Sequence, residues 1–285
     1  MLYRFSLYGF LKNQRYFEPF LVLFFLEKGL DFLQIGLLVA FRELVINLLE
    51  ILSGAVADLW GRRRAMILSF SSCMVSFAVF ALADSLGLLF FAMFLFGTGE
   101  SFRTGTHKAM IFSWLRAQGR TAERTLIYGT TRSWSKIGSA VSVILAAVFV
   151  LASDNYAIVF WLAMIPYTMG IINFLTYPKE LDGTRKSGFS PRVVLAHLRQ
   201  SLSAAWRQRP IRRLVFESMG FEGVFRAAKD YLQPVIQAAA LSTGSLLALG
   251  TTMGERQRVA LLVGPIYFVL YMLSALASRR AYRPL

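Results

Sequence analysis

Eight apolar runs, at about 6–27, 33–57, 65–84, 87–114, 126–152, 156–177, 212–240 and 259–278, constrain this chain more than any other feature. Each is close to the roughly 20 residues that an α-helix needs to cross a bilayer. A water-soluble core cannot absorb eight such runs from 285 residues of which 56% are apolar. In lipid a spanning segment must satisfy its own backbone, so the runs predict helices rather than isolated strands. The expected fold class is therefore all-α integral membrane, a helical bundle crossing the bilayer eight times.

The links between runs alternate in character. Counting Arg4 with one side, the links at 61–64, 116–124 and 179–213 and the tail at 279–283 bring that side to nineteen cations, against Lys28, Arg256 and Arg258 on the other. By the positive-inside rule this predicts that both termini lie in the cytoplasm, with a bacterial cytoplasmic membrane as the expected location. The net charge of +15 points to no nucleic-acid partner, because its basic residues fall in short clusters between spans.

Three regions follow: six spans over 1–178, a basic central loop over 179–210, and a partial second half over 211–285. In the loop, Ser190-Pro191 supplies a helix start, and Leu195, Leu198, Leu202 and Trp206 recur at near-helical spacing apart from Arg192, Arg199 and Arg207. That pattern predicts an amphipathic helix on the anionic cytoplasmic leaflet, with a solvated linker as the rival reading. The chain also echoes itself, Tyr16-Phe17-Glu18-Pro19-Phe20-Leu21 against Tyr231-Leu232-Gln233-Pro234-Val235-Ile236, and LSGAVAD at 52–58 against LSALAS at 273–278. If this is a repeat, spans seven and eight begin a second copy of the first six, and roughly four further spans are expected beyond Leu285.

Between spans two and three lies Gly54-Ala55-Val56-Ala57-Asp58-Leu59-Trp60-Gly61-Arg62-Arg63-Arg64. An acid at a helix C-terminus needs a compensating cation, and Arg62 stands one turn after Asp58. Gly54 is expected to let another helix approach, and Gly61 to permit the tight turn. The stretch resembles the loop signature of the major facilitator superfamily, G-x-x-x-D-R/K-x-G-R/K-R/K, with Gly54, Asp58, Gly61, Arg62 and Arg63 matching and Leu59 replacing the usual basic residue. Glu50-Ile51-Leu52-Ser53-Gly54 is similar to the E-x-P-S/T-G variant of many bacterial members, with leucine for proline. GTGESFRTGTHKAM at 97–110 is similar to fourth-span sequences of that family, and the fifth span lacks the G-P-x-x-G-G motif of many of its drug/proton antiporters. The resemblance implies a six-helix half plus two helices of the second, a gating role for the loop, and alternating-access transport of a small solute.

Ionisable groups inside apolar spans cost about 2.5–3.5 kcal/mol each on insertion scales and usually face a bundle interior. Arg15 with Glu18, and Glu100 with Arg103, stand at i,i+3, while Arg42, Glu43, Asn47 and Glu50 form a stripe on span two. Arg226, Lys229 and Asp230 continue the pattern in span seven. Candidate proton carriers are Glu18, Glu50 and Glu100, and candidate counter-charges to substrate are Arg15, Arg103 and Arg226; static ion pairing is the rival reading. Lys12, Arg42, Arg132 and Lys136 add a cationic surplus that hints at an anionic substrate, although Arg132 and Lys136 are also expected as interfacial anchors. His107 and His197 read as ordinary polar residues near the interfaces, and Cys73 as packing. No metal or cofactor is implied, and no nucleophile elbow, Walker loop or zinc-protease motif supports an enzyme. The leading expectation is secondary transport, possible coupling to protons included, with a non-transporting or partner-dependent fragment as the alternative and a membrane receptor or sensor as a remote one. For the orientation, Arg64→Cys in a Cys73→Ala background is expected to react with a membrane-impermeant maleimide in inverted vesicles and not in intact cells.

Overall fold

Asp31 opens the 29-residue helix that begins at Phe32 with a reciprocal cap. Its carboxylate accepts from the Gln34 backbone N–H at 2.7 Å, and the Gln34 side chain accepts from the Asp31 N–H at 3.1 Å. The computed structural model describes residues 1–103, 105–182, 207–210, 212–213, 217, 231–236, 238–239 and 254–281. Its helices are α1 (Leu2–Leu11), α2 (Leu21–Glu27), α3 (Phe32–Trp60), α4 (Arg62–Leu82), α5 (Leu86–Arg103), α6 (Thr106–Ala117), α7 (Arg124–Ser153), α8 (Ile158–Leu175) and α9 (Glu255–Ala281). By length and composition, six helical stretches among the described residues can cross a membrane. At 29 and 30 residues, α3 and α7 are about 44 Å long and outreach a hydrocarbon core of about 30 Å.

The first apolar run corrects the expectation of one continuous helix over 6–27. Between α1 and α2 the chain leaves α-geometry at Lys12–Phe17 and resumes through a 3-10 turn, Glu18–Phe20. Pro19 has no N–H to give the Arg15 carbonyl, and the residue before a proline is steered away from helix, so the ladder stops. Asn13 takes up a freed carbonyl, and Gln14 ties the break to α7. Asn13 Nδ2 donates to the Gly9 carbonyl at 2.7 Å and Gln14 Nε2 to the Gly138 carbonyl of α7 at 3.2 Å. The fourth run also divides, between α5 and α6, where Gly105 holds φ +77°.

Helices α4 and α5 meet along a seam of small residues. Ser72 and Ser76 donate to the carbonyls of Leu95 and Ala92, each at 2.7 Å, and Ser69 donates to the Gly99 carbonyl. Spaced along one face of α4, these hydroxyls replace the hydrophobic driving force that lipid does not supply between helices. A Cβ on Gly99 would stand 2.4 Å from Cys73 Sγ and 2.7 Å from the Ser69 carbonyl oxygen. Helix α3 joins the seam at Gly97, where a Cβ would meet Val45 at 2.9 Å. Gly54 is exposed, and among the described residues no neighbouring element lies within 4 Å of a Cβ built there. The close approach falls on α5 because its glycines face α3 and α4.

Helix α8 packs on α4, and α1 and α9 both pack along α7. The aromatic side chains of Phe17, Phe24, Phe77, Phe80 and Phe160 fill the core where these helices converge. On α8 the large apolar residues Trp161, Ile165, Met169 and Ile172 are exposed and recur every three or four positions, which is the stripe a lipid-facing helix presents.

The self-similar segments meet each other. Gln233 Nε2 donates to the Glu18 carbonyl at 2.9 Å and its Oε1 accepts from the Val22 N–H at 2.9 Å. Glu18 and Gln233 occupy equivalent positions of the sequence echo. The amphipathic helix expected at 190–206 and the candidates Arg226, Lys229 and Asp230 lie outside the described residues. Gly99→Ala is expected to lower stability by about 1–3 kcal/mol through overpacking. Gly87→Ala, with nothing within 4 Å, is the control; thermal unfolding in detergent measures both.

Candidate functional site

The two interrupted spans bring their charged residues together. Arg15, in the break between α1 and α2, donates from an Nη to Glu100 Oε2 on α5 at 2.6 Å. Arg103, one turn farther along α5, bonds the other oxygen, Glu100 Oε1. Arg103 also reaches the Tyr167 hydroxyl on α8 at 3.4 Å. The Arg103, Glu100 and Arg15 side chains keep 7%, 15% and 23% of their surface, so the node is largely withdrawn from contact with water. It carries one net positive charge. The expected Glu100–Arg103 pair is present. The interruption turns Arg15 across to Glu100 on α5, while Glu18 still acts on it electrostatically, as the i,i+3 spacing led one to expect.

Beside the node a cavity of about 210 Å³ opens between α1, α6 and α7, with Lys12, His107, Tyr128, Arg132 and Lys136 in its wall. Arg132 and Lys136, expected as interfacial anchors, stand in this wall, Arg132 exposed and Lys136 half-buried. His107 departs from its expected interfacial place. It is 7% exposed, its ring lies 3.8 Å from that of Tyr8, and its Nε2 has no hydrogen-bond partner among the described residues. The Arg42 stripe stays apart: Arg42 pairs with its neighbour Glu43 at 2.9 Å, Asn47 donates to the Glu43 carbonyl, and Glu50 is exposed.

The glycine-arginine turn forms a latch. Gly61 adopts φ +104°, a conformation that side chains resist, and lets α3 end and α4 begin within one residue. Arg62 holds the Asp58 carboxylate at 3.0 Å and donates to Ser113 Oγ at 2.7 Å, fastening the turn to α6. Gly61 has no side chain with which to cap α4. The Asp182 carboxylate, arriving from beyond α8, accepts from the Arg63 backbone N–H at 2.8 Å. An anion at a helix N-terminus meets both free N–H groups and the positive end of the dipole. Arg63 in turn donates to the Tyr177 carbonyl at 3.2 Å. At the opposite end Arg256 of α9 pairs with Glu27 and donates to the Asp154 carbonyl at 2.6 Å, while Lys28 pairs with Asp84 at 3.2 Å.

Sequence reasoning missed Asp182, Gln233 and the cavity role of His107. Only the echo offered a signal, since it aligned Gln233 with Glu18. Asp182→Ala is expected to cost about 0.5–2 kcal/mol, the range for a lost N-cap, with Asp182→Asn retaining much of the bond. Thermal unfolding of both variants in detergent checks the order.

The model of the Major Facilitator Superfamily matches residues 10–282. An "Uncharacterized MFS-type transporter YxaM" of Bacillus subtilis is 32% identical over 90 residues, which are 32% of this chain and 23% of that protein. The crystal structure of the nucleoside transporter NupG superposes with a TM-score of 0.72 at 13% identity, covering 99% of this chain and 68% of that one. A bacterial homologue of the human drug peptide transporters superposes at 0.57 with 17% identity, over 96% of this chain and 70% of its own. At such identities the structural likeness is one of fold, and that fold is an all-helical membrane bundle. With the family match running over nearly its whole length, this chain belongs to the major facilitator superfamily of membrane transporters.

Proposed function

We propose that the chain acts as a secondary active transporter in which two groups of helices rock about a polar site and an ion gradient drives a small solute. The observation that carries this reading is the Arg15–Glu100–Arg103 node, placed where two interrupted spans meet beside a polar cavity. Irregular backbone at membrane depth is tolerated only where protein or a watery cavity satisfies it. Glu100 is the candidate proton carrier, because protonation would weaken both of its ion pairs together and free Arg15 and Arg103 to move. The Asp58–Arg62 latch and the Arg256–Glu27 pair lie at opposite ends of the bundle, as gates that open in turn require. The asymmetry of nineteen cations against three supports cytoplasmic termini in a bacterial inner membrane.

A second reading is favoured by coverage. The chain spans 68% of NupG and matches 23% of the YxaM-type relative, so these helices transport only together with others. Reconstitution separates the two. On the first reading, proteoliposomes holding the 285-residue chain show saturable, gradient-dependent proton flux with some member of a solute panel, and none without solute. Glu100→Gln and Arg103→Glu are then expected to lower that flux by roughly tenfold or more, about 1.4 kcal/mol per factor of ten, while insertion stays intact. Unchanged kinetics in both variants would remove the node from the mechanism.

A further inference from the structure

An α-helix joins each carbonyl to the N–H four residues farther on. The Glu18 carbonyl and the Val22 N–H are such a pair, and here a side chain stands between them. Gln233 Nε2 donates to the Glu18 carbonyl at 2.9 Å, while its Oε1 accepts from the Val22 N–H at 2.9 Å. The opposite orientation of the amide would set donor against donor and acceptor against acceptor, so only a group that both gives and takes fits this gap. Phe20, between the two, holds φ −122° and ψ 3°, off the helical region, and Glu18–Phe20 is a 3-10 turn. A side chain inserted into the ladder is one of the few causes of a sharp break in a helix.

Two gaps therefore follow one another in the first span, and they differ in kind. Pro19 has no N–H, so the rung to the Arg15 carbonyl is lost in any state. Val22 keeps its N–H, so the rung to Glu18 is open only while the amide fills it. Gln233 is 1% exposed and Phe20 0%, so bulk water does not replace the amide. Without it the two backbone groups are left to each other.

The amide is also linked to the ion-pair node. Beyond the Glu18 carbonyl, the Glu18 N–H donates to the Arg15 carbonyl at 3.0 Å, and the Arg15 guanidinium donates to Glu100 at 2.6 Å. The segment that carries Gln233 is docked beside the break: the Tyr231 hydroxyl donates to the Phe32 carbonyl at 3.4 Å, and Ile236 is buried in the core.

We propose that Gln233 is a positioning residue. Its amide holds the first span in the interrupted form that aims Arg15 at Glu100, and its withdrawal lets the Val22 N–H close on the Glu18 carbonyl and draws Arg15 off the node. The two-state element is that single rung, open with the amide seated and closed without it. The inference rests on the transport reading only in making the withdrawal a step of the cycle.

Thermal unfolding of the purified chain in detergent tests the bonding, at about pH 5 and about pH 8, between which a buried carboxyl titrates. Gln233→Leu removes both bonds at similar bulk. Gln233→Glu accepts from Val22 when ionised and regains the second bond, from its O–H to the Glu18 carbonyl, only when protonated. Its melting temperature is expected to lie below that of the parent at the higher pH, with at least half of the gap closed at the lower, while the gap for Gln233→Leu stays the same at both. The parent and the leucine variant titrate the same native groups, the Glu18 carboxylate and the Tyr231 phenol among them, and so set the reference. A double-mutant cycle of Gln233→Leu with Glu100→Gln reads the link to the node: the loss in the double variant is expected to fall short of the sum. Gln233→Leu with Asp182→Ala, at the arginine turn, is expected to be additive, and a purely structural role for Gln233 makes both cycles additive. Gln233→Met replaces the leucine variant should that fail to fold.

In proteoliposomes the maximal flux of Gln233→Leu is expected to fall roughly tenfold, with half-saturation within about twofold of the parent. Matching pH behaviour of the glutamate and leucine variants, an additive cycle with Glu100→Gln, or undiminished flux of Gln233→Leu beside a transporting parent overturns the proposal. Parent vesicles without solute-dependent flux defeat the transport reading and leave Gln233 to the melting cycle; an additive cycle beside intact parent flux does the reverse.

Discussion

A guanidinium or carboxylate held at membrane depth needs a partner, and the Arg15–Glu100–Arg103 node is where this chain meets that requirement most fully. The node depends on the backbone around it. Arg15 reaches α5 because Pro19 stops the first span from continuing as one helix, Asn13 taking the freed Gly9 carbonyl and Gln14 anchoring the break to α7. On the other side Glu100 and Arg103 sit in the last turn of α5, just before Gly105 redirects the fourth span. Two interruptions and three charges form one structural unit, since a continuous first helix would carry Arg15 elsewhere.

The scaffold that fixes this unit combines an aromatic core with helix seams of small residues and serine hydroxyls. Helices α3, α4 and α5 approach through Gly97 and Gly99, and α1 approaches α7 where a Cβ on Gly138 would fall 2.5 Å from the Phe10 carbonyl oxygen. In lipid, apolar surface gains little by being covered with more apolar surface, so close backbone contact and interhelical hydrogen bonds decide the packing. Large apolar side chains are free to face outward, as they do along α8. The Gln233 amide extends the same logic, satisfying the Val22 N–H and the Glu18 carbonyl at the start of α2 at once.

The two ends of the bundle are fastened differently. At the arginine turn, Asp58, Arg62, Ser113, Arg63 and Asp182 form a network joining α3 and α4 to α6 and to the segment after α8. At the other end Arg256 connects α9 to the end of α2 and to the Asp154 turn.

How much of this was legible follows from the range of the interactions. Apolar runs carry their own length, so the spans at 33–57, 65–84, 126–152 and 156–177 correspond to α3, α4, α7 and α8 to within a few residues, and Gly61 marked its turn because only local sterics decide it. The Glu100–Arg103 pair was equally readable, being set by helical spacing. Spacing could not show that Arg15 turns to Glu100, that Asp182 caps a helix 119 positions away, or that His107 is buried against a cationic cavity. By itself the sequence determined a helical membrane protein with its charges inside and its resemblance to a transporter family, because hydropathy and local motifs act over a turn or a span. Only the tertiary structure decided which charges meet, because partners distant in the chain are chosen by how the helices break, tilt and pack.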